Sequence, residues 1–169
     1  MIDPGEGRAS RLLRGFEDGL RIITFDAAHR DAFRRLNVAW LTKYFTVEPI
    51  DERVLGNPEA EILARGGEIL FAQLGAEIVG TVALKMEAEG EFELTKMAVD
   101  EGHQGRGYGR RLLEAACELA RKRGARRVIL YSQRSLQPAV AMYFKHGFVE
   151  LPLHDARYAR CDIKMQRVL

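Results

Sequence analysis

Between Gly107 and Arg123 the apolar residues Tyr108, Leu112, Leu113, Ala116, Leu119 and Ala120 fall on one stripe at helical spacing, and Gly124 closes the run. This is the strongest helix signal in the chain. A second helix is predicted from about Ala28 to Tyr44, with Asp26 as its cap and Phe33, Leu36, Val38, Trp40 and Leu41 at its apolar positions. A short helical stretch is expected near Pro58 to Ala64, where Pro58 suits a first turn and Gly66-Gly67 ends it. A last helix starts at Pro138 and stops at Gly147.

Between these helices the pattern is that of strands. Leu20 to Phe25 reads as the first, and Ile69 to Leu74 and Ile78 to Met86 as a hairpin turning at Gly75-Ala76-Glu77. Phe92 to Val99 lies between Gly90 and Asp100-Glu101-Gly102. Val128 to Tyr131 is apolar throughout, as in a strand buried on both faces. Phe148 to Leu151 and Cys161 to Val168 close the chain. The order β-α-α-β-β-β-α-β-α-β-β predicts an α/β layered sandwich on a mixed sheet. Residues 1–18 are expected to be a loose, flexible leader with helical character around Arg11 to Phe16, and residues 19–169 a single domain.

At 169 residues, with 47% hydrophobic and 30% charged residues, one self-sufficient domain is the expectation. The net charge of +2 gives no reason to expect nucleic acid. The basic run Arg121, Lys122, Arg123, Arg126 and Arg127 sits at a helix end, where it complements the helix dipole. Two cysteines and four histidines lack metal-ligand spacing, so no metal is expected. No run reaches the ~20 apolar residues of a membrane span, and a soluble cytoplasmic protein is expected.

The chemistry concentrates at one junction. Val99-Asp-Glu-Gly-His-Gln104-Gly105-Arg106-Gly107-Tyr108-Gly109-Arg110-Arg111 leads from a strand into the strongest helix. Glycines at alternate positions permit tight turning and close approach by a ligand. The first N–H groups of the helix have no internal partner, so the junction suits an anion such as phosphate, with Arg106, Arg110 and Arg111 adding charge. A Walker loop would need Gly-Lys-Ser/Thr, which is missing. A dinucleotide fingerprint would need a glycine where Arg110 stands and an acidic residue where Ser132 and Gln133 stand. A glycine-rich loop without ligand is the remaining reading.

The pattern Gln104-x-x-Gly107-x-Gly109 resembles the acetyl-CoA signature of the GNAT superfamily of N-acetyltransferases. Phe92 to Val99 is similar to that family's central strand, and Ala139-x-x-x-Tyr143-x-x-x-Gly147-Phe148 to its closing helix-and-strand segment. The likeness runs in order from about Ile69 to the C-terminus. It implies a GNAT-like layered sandwich, a mixed and mostly antiparallel central sheet flanked by helices, with acetyl-CoA as co-substrate. Met97, Ala98 and Val99 would offer backbone groups to the pantetheine arm, and Gln104, Gly105, Arg106, Gly107, Tyr108, Gly109 and Arg110 would hold the pyrophosphate. Ala139 and Lys145 on the closing helix would add cofactor contacts, and Tyr143 would face the sulfur. Many members carry Asn three residues before the helix alanine; here that position is Leu136.

Transfer from a thioester to an amine requires a neutral amine, a stabilised oxyanion and a proton for the leaving thiolate. Strict alternation would put Glu93, Thr95, Met97 and Val99 on one face of their strand and Leu94, Lys96 and Ala98 on the other. Glu93, which matches the base of the family's histone-modifying members, is expected to deprotonate the amine through water. A strand-edge carboxylate paired with a cation such as Lys85 or Lys96 is the equal alternative. Tyr143 is the expected acid, against simple packing on Met142 or Phe148. A backbone N–H near Ala98 or Val99 is the expected oxyanion donor. Cys117 is expected to pack rather than react.

Trp40 to Glu52, with Trp40, Tyr44, Phe45, Glu48, Asp51 and Glu52, is expected to flank a small-molecule or peptide amine acceptor. No membrane partner is expected, and homodimerisation stays open. The rival readings are a non-catalytic acyl-CoA-binding sensor using the same loop, and a nucleotide-binding module.

Overall fold

The computed structural model describes residues 10–154 and 157–169. The first half of the expected leader, residues 1–9, lies outside the described residues. The rest begins with a strand where a helical turn was expected: β1 (Leu12–Gly15) turns at Gly19 into β2 (Leu20–Thr24) and pairs with it antiparallel. The hairpin's own backbone bonds satisfy what a lone helical turn there would leave open to water.

Asp26 does act as a cap, accepting from Ala28 N at 2.8 Å, but what it caps is a single 3-10 turn. The helix α1 (Arg30–Tyr44) follows. A helix that the apolar pattern does not announce comes next, α2 (Pro49–Gly56). Its start is fixed by a capping box in which Glu48 and Asp51 each accept from the other's end of the first turn. One turn, α3 (Pro58–Glu61), completes this side.

The meander β3 (Glu68–Leu74), β4 (Glu77–Ala88) and β5 (Glu91–Val99) forms the middle of the sheet. Then come α4 (Tyr108–Lys122), β6 (Arg127–Ser132), α5 (Gln137–Lys145), β7 (Val149–Leu151) and β8 (Ile163–Val168). Among the described residues eight strands form one sheet, ordered β1-β2-β3-β4-β5-β6-β8-β7. Every neighbouring pair is antiparallel except β5 and β6. One face of the sheet packs Leu112, Leu113 and Ala116 of α4 against Leu70, Val82 and Leu94. The other packs Phe33, Leu36 and Leu41 of α1 and Val54 and Leu55 of α2 against Ile69, Phe71 and Ala83.

Two irregularities at the centre position everything that follows. Strands β5 and β6 pair only from Glu91–Glu93 to Arg127–Ile129, whereas β6 stays paired with β8 as far as Ser132. The C-terminal halves of the two parallel strands therefore part and leave a cleft in the sheet. On the other edge of β5, Ala83 faces Thr95 and Thr81 faces Ala98, so two residues, Lys96 and Met97, oppose one. This is a β-bulge, and Lys96 sits in it at φ 52°, the left-handed region. The bulge overturns strict alternation. Phe92 and Leu94 face α4, but beyond the bulge Met97 and Val99 take that face, while Ala98 packs with α1.

Among the described residues, no helix is long and apolar enough to cross a membrane, and no group of three or more His, Cys, Asp or Glu is placed to hold a metal ion. Cys117 is buried in the α4 core, and burial pushes its thiol pKa up. In the basic run, Lys122 pairs with Glu118, Arg123 with Glu68 and Arg127 with Glu91.

Candidate active site

The cleft between β5 and β6 opens into a cavity of about 400 Å³. One end is the junction into α4. Gly105 and Gly107 have φ of 78° and 80°, a backbone region that costs other L-residues about 1 kcal/mol or more. A Cβ at Gly105 would meet nothing within 4 Å and one at Gly107 only the end of Arg110, so the requirement is conformational rather than spatial. The first intrahelical bond runs from Arg111 N to Gly107 O. The N–H groups of Tyr108, Gly109 and Arg110 are thus left without a helical partner at the positive end of a 15-residue helix, an arrangement that favours an anion. Gln104 steadies the loop by donating from Nε2 to Val99 O at 3.1 Å.

The arginines do not act together there. Arg111 is bound by both oxygens of Asp18, at 2.8 and 3.0 Å, and stacks over Phe16 at 4.3 Å, which ties the N-terminal hairpin to α4. Arg110 reaches Glu114 at 3.3 Å, one turn on. Arg106 is exposed and does not line the cavity.

The middle of the cavity is walled by Met97, Ala98 and Val99 on one side and by Ala139, Met142 and Tyr143 on the other, with Leu136 at the head of α5. Tyr143 is 8% exposed and packs on Phe148 with ring centroids 5.8 Å apart. It lines the cavity as well. Burial pushes its phenol up to about 12, so it keeps its proton at neutral pH. Lys145, at the exposed end of α5, does not reach the cavity wall.

Glu93 is fully buried and lies behind the wall rather than in it. It is paired with a cation, as the alternative reading has it, but the cation is Arg157 rather than Lys85 or Lys96. Arg157, in the β7–β8 connection, donates to Glu93 Oε2 at 3.0 Å and to Glu87 Oε2 at 2.6 Å, bridging carboxylates on adjacent strands. Burial, and then the neighbouring Glu87, push Glu93 up to about 7. Thr95 and Tyr158 do line the cavity, and burial, with the nearby Glu93 charge, pushes the Tyr158 phenol up.

A second charged cluster meets the cavity on the α1 side. Lys96 Nζ lies 2.7 Å from Asp51 Oδ1 and 4.7 Å over the Tyr158 ring. Arg160 binds both oxygens of Asp51, at 2.9 and 3.0 Å, and Glu48 Oε2 at 2.7 Å. These two cations draw Asp51 down to about 2 despite its complete burial, and burial of Lys96 itself holds that amine below the ordinary lysine range. Trp40, Tyr44 and Phe45 line the same end, with the Trp40 ring centroid 5.5 Å from each of the other two. Glu52, expected in this group, instead faces outward and binds Arg34.

The aromatic residues of this end were legible in the sequence. Lys96 as a buried ligand and the Arg157-Tyr158-x-Arg160 segment were not singled out. The signal for the latter was present: two arginines and a tyrosine within four residues of a short connection, opposite a Glu48-Pro49-Ile50-Asp51 capping box that leaves carboxylates to be satisfied.

Known proteins share this fold. An acetyltransferase of Streptococcus agalactiae superposes with a TM-score of 0.79, at 18% identity, over 91% of this chain and 100% of that one. A PaiA N-acetyltransferase of Thermoplasma acidophilum, solved in complex with coenzyme A, superposes at 0.68 and 17% identity over 89% and 99%. In sequence, a mycothiol acetyltransferase of Corynebacterium glutamicum (strain R) is 34% identical over 90 residues, 53% of this chain and 31% of that protein. This chain thus spans about a third of the length of that relative. The model of the Acetyltransferase (GNAT) family matches residues 26–148, from the cap before α1, through the bulged strand and the glycine junction, to the end of the α5 turn. With a sheet parted between β5 and β6, the glycine junction lining the cavity there, and the family model matched over most of its length, the chain belongs to the GNAT acetyltransferase family.

Proposed function

We propose that this chain transfers an acetyl group from acetyl-CoA to a primary amine by direct attack. The observation that carries the reading is the continuity of one cavity from the unpartnered amides of the α4 junction, along the parted edge of β5, to the charged and aromatic wall of α1 and the β7–β8 connection. The residues suit a long phosphorylated thioester: amides and left-handed glycines at one end, a strand edge along the middle, and apolar α5 side chains opposite. The names of the relative and of the coenzyme A complex support the same co-substrate.

Bound acetyl-CoA would supply an activated carbonyl and a thiolate leaving group. Gly105, Gly107, Tyr108, Gly109 and Arg110 hold the pyrophosphate, with Gln104 and Arg106 framing the loop. Met97, Ala98 and Val99, beyond the point where β5 parts from β6, pair with the pantetheine arm, and a backbone N–H of this segment stabilises the developing oxyanion. Ala139 closes the opposite side, and Lys145 lies further out. Glu93 takes the proton of the incoming amine through water, by way of the Thr95–Tyr158 contact, and a carboxylate titrating near neutrality suits that task. Tyr143 retains a proton to give to the departing sulfur.

The alternative is an acyl-CoA sensor, favoured by one observation: Arg157 holds Glu93 behind the cavity wall. Release of free CoA from acetyl-CoA, followed across a panel of small and peptide amines, separates the two. Amine-dependent release is expected, at least tenfold slower for Glu93→Gln and for Tyr143→Phe when both stay folded. Tight acetyl-CoA binding without release for any amine would establish the sensor.

A further inference from the structure

We propose that the acceptor amine carries a carboxylate, which Arg160 binds through the side-on edge of its guanidinium. The inference rests on the transfer reading above and names the class of its acceptor.

The donors of Arg160 can be counted. A guanidinium has five N–H hydrogens and two faces that match a carboxylate: end-on, through Nη1 and Nη2, and side-on, through Nε and Nη2. The end-on pair holds the two oxygens of Asp51, and the second Nη1 hydrogen goes to Glu48. Among the described residues these bonds use three of the five. The two left over, on Nε and the outer side of Nη2, are the side-on pair. They are parallel donors spaced for the two oxygens of another carboxylate.

The guanidinium is also held still. It lies 4.6 Å from the Tyr158 ring centroid and 5.9 Å from that of Phe45, and its side chain is only 14% exposed, yet it forms part of the cavity wall. An arginine fixed in this way loses little conformational freedom when it binds. The sign of the wall agrees. Lys96 and Arg160 line the cavity, whereas their counter-charges, Asp51 and Glu48, do not. An approaching carboxylate meets donors first, with the compensating anions behind them. Trp40 and Tyr44 on the same wall give the body of such an acceptor an apolar surface.

The test compares matched amines that differ only in this group: phenylalanine with phenylalaninamide, tryptophan with tryptophanamide, and 4-(aminomethyl)benzoate with its amide. Free CoA release is measured on the intact protein. The acids are expected to have KM values at least tenfold below those of their amides in at least one pair. Arg160→Gln should remove that preference by raising KM for the acid, with kcat changed less than threefold, and Arg160→Lys should restore only part of it. The wild-type comparison stands whether or not Arg160→Gln folds. CoA release with amides as good as the acids in every pair overturns the inference and leaves the transfer reading intact. No release with any amine, amides included, overturns the transfer reading and this inference with it.

Discussion

Asp51 is the residue on which two structural requirements meet. Its carboxylate closes the capping box that starts α2 and also neutralises Lys96 and Arg160 in the cavity wall. Removing one member of a buried charged cluster leaves the others uncompensated, at a cost of about 3–5 kcal/mol. Asp51→Asn is expected to lower Tm by about 10 °C in a thermal melt. The pH dependence has a definite sign. The folded protein holds Asp51 near 2, below its ordinary 3.8, so its contribution is complete above that ordinary value and is lost as the pH falls through the folded one. A melt series between pH 5 and pH 2 should show the wild type losing Tm faster than Asp51→Asn. Glycine at 107 is a second residue-scale requirement. Because a Cβ has room there, Gly107→Ala should cost about 1 kcal/mol for its left-handed backbone. It should raise the acetyl-CoA KM about tenfold by displacing the junction amides; an unchanged KM would remove those amides from the binding account.

At the scale of elements, β5 is the working part, because its two edges are treated differently. One edge is bulged at Lys96 and the other parts from β6 after Glu93. The strand, the glycine junction and α4 were all legible in the sequence because their signals are local: apolar period, turn residues and glycine spacing. The bulge was not, because it is a property of two strands in register, and nothing within Phe92–Val99 announces that Lys96 and Met97 share one partner. The same limit explains Arg111. Its sequence neighbours place it at the phosphate end, but its partners, Asp18 and Phe16, are about ninety positions away. Arg111→Ala is therefore expected to loosen the N-terminal hairpin, seen as a lower Tm or faster amide exchange in β1 and β2. Its acetyl-CoA KM should stay within twofold of the wild type. A tenfold rise would put Arg111 back at the pyrophosphate.

Over the whole molecule, the layered sandwich was readable from the order of elements, and the glycine-lined end of the cavity from one loop. The charged wall at the other end was not, because it is assembled from segments far apart in the chain: Asp51 meets Arg160 across 109 positions and Glu93 meets Arg157 across 64. The global pH profile reports on this assembly. Glu93 has to be ionised to accept a proton, so kcat/KM should fall as the pH drops through about 7, with Glu87, Arg157, Lys85 and Lys96 as its charged surroundings. Glu87 repels that negative charge, so Glu87→Gln should move the acidic limb to lower pH, and an unmoved limb would separate Glu93 from catalysis. The central claim is tested most directly by mass spectrometry of one reaction, acetyl-CoA with an amine panel and the intact protein. The account predicts an amine heavier by one acetyl group and one free CoA per product. Acetyl-CoA bound tightly and recovered unchanged with every amine, or ATP or NAD bound in its place, would contradict it.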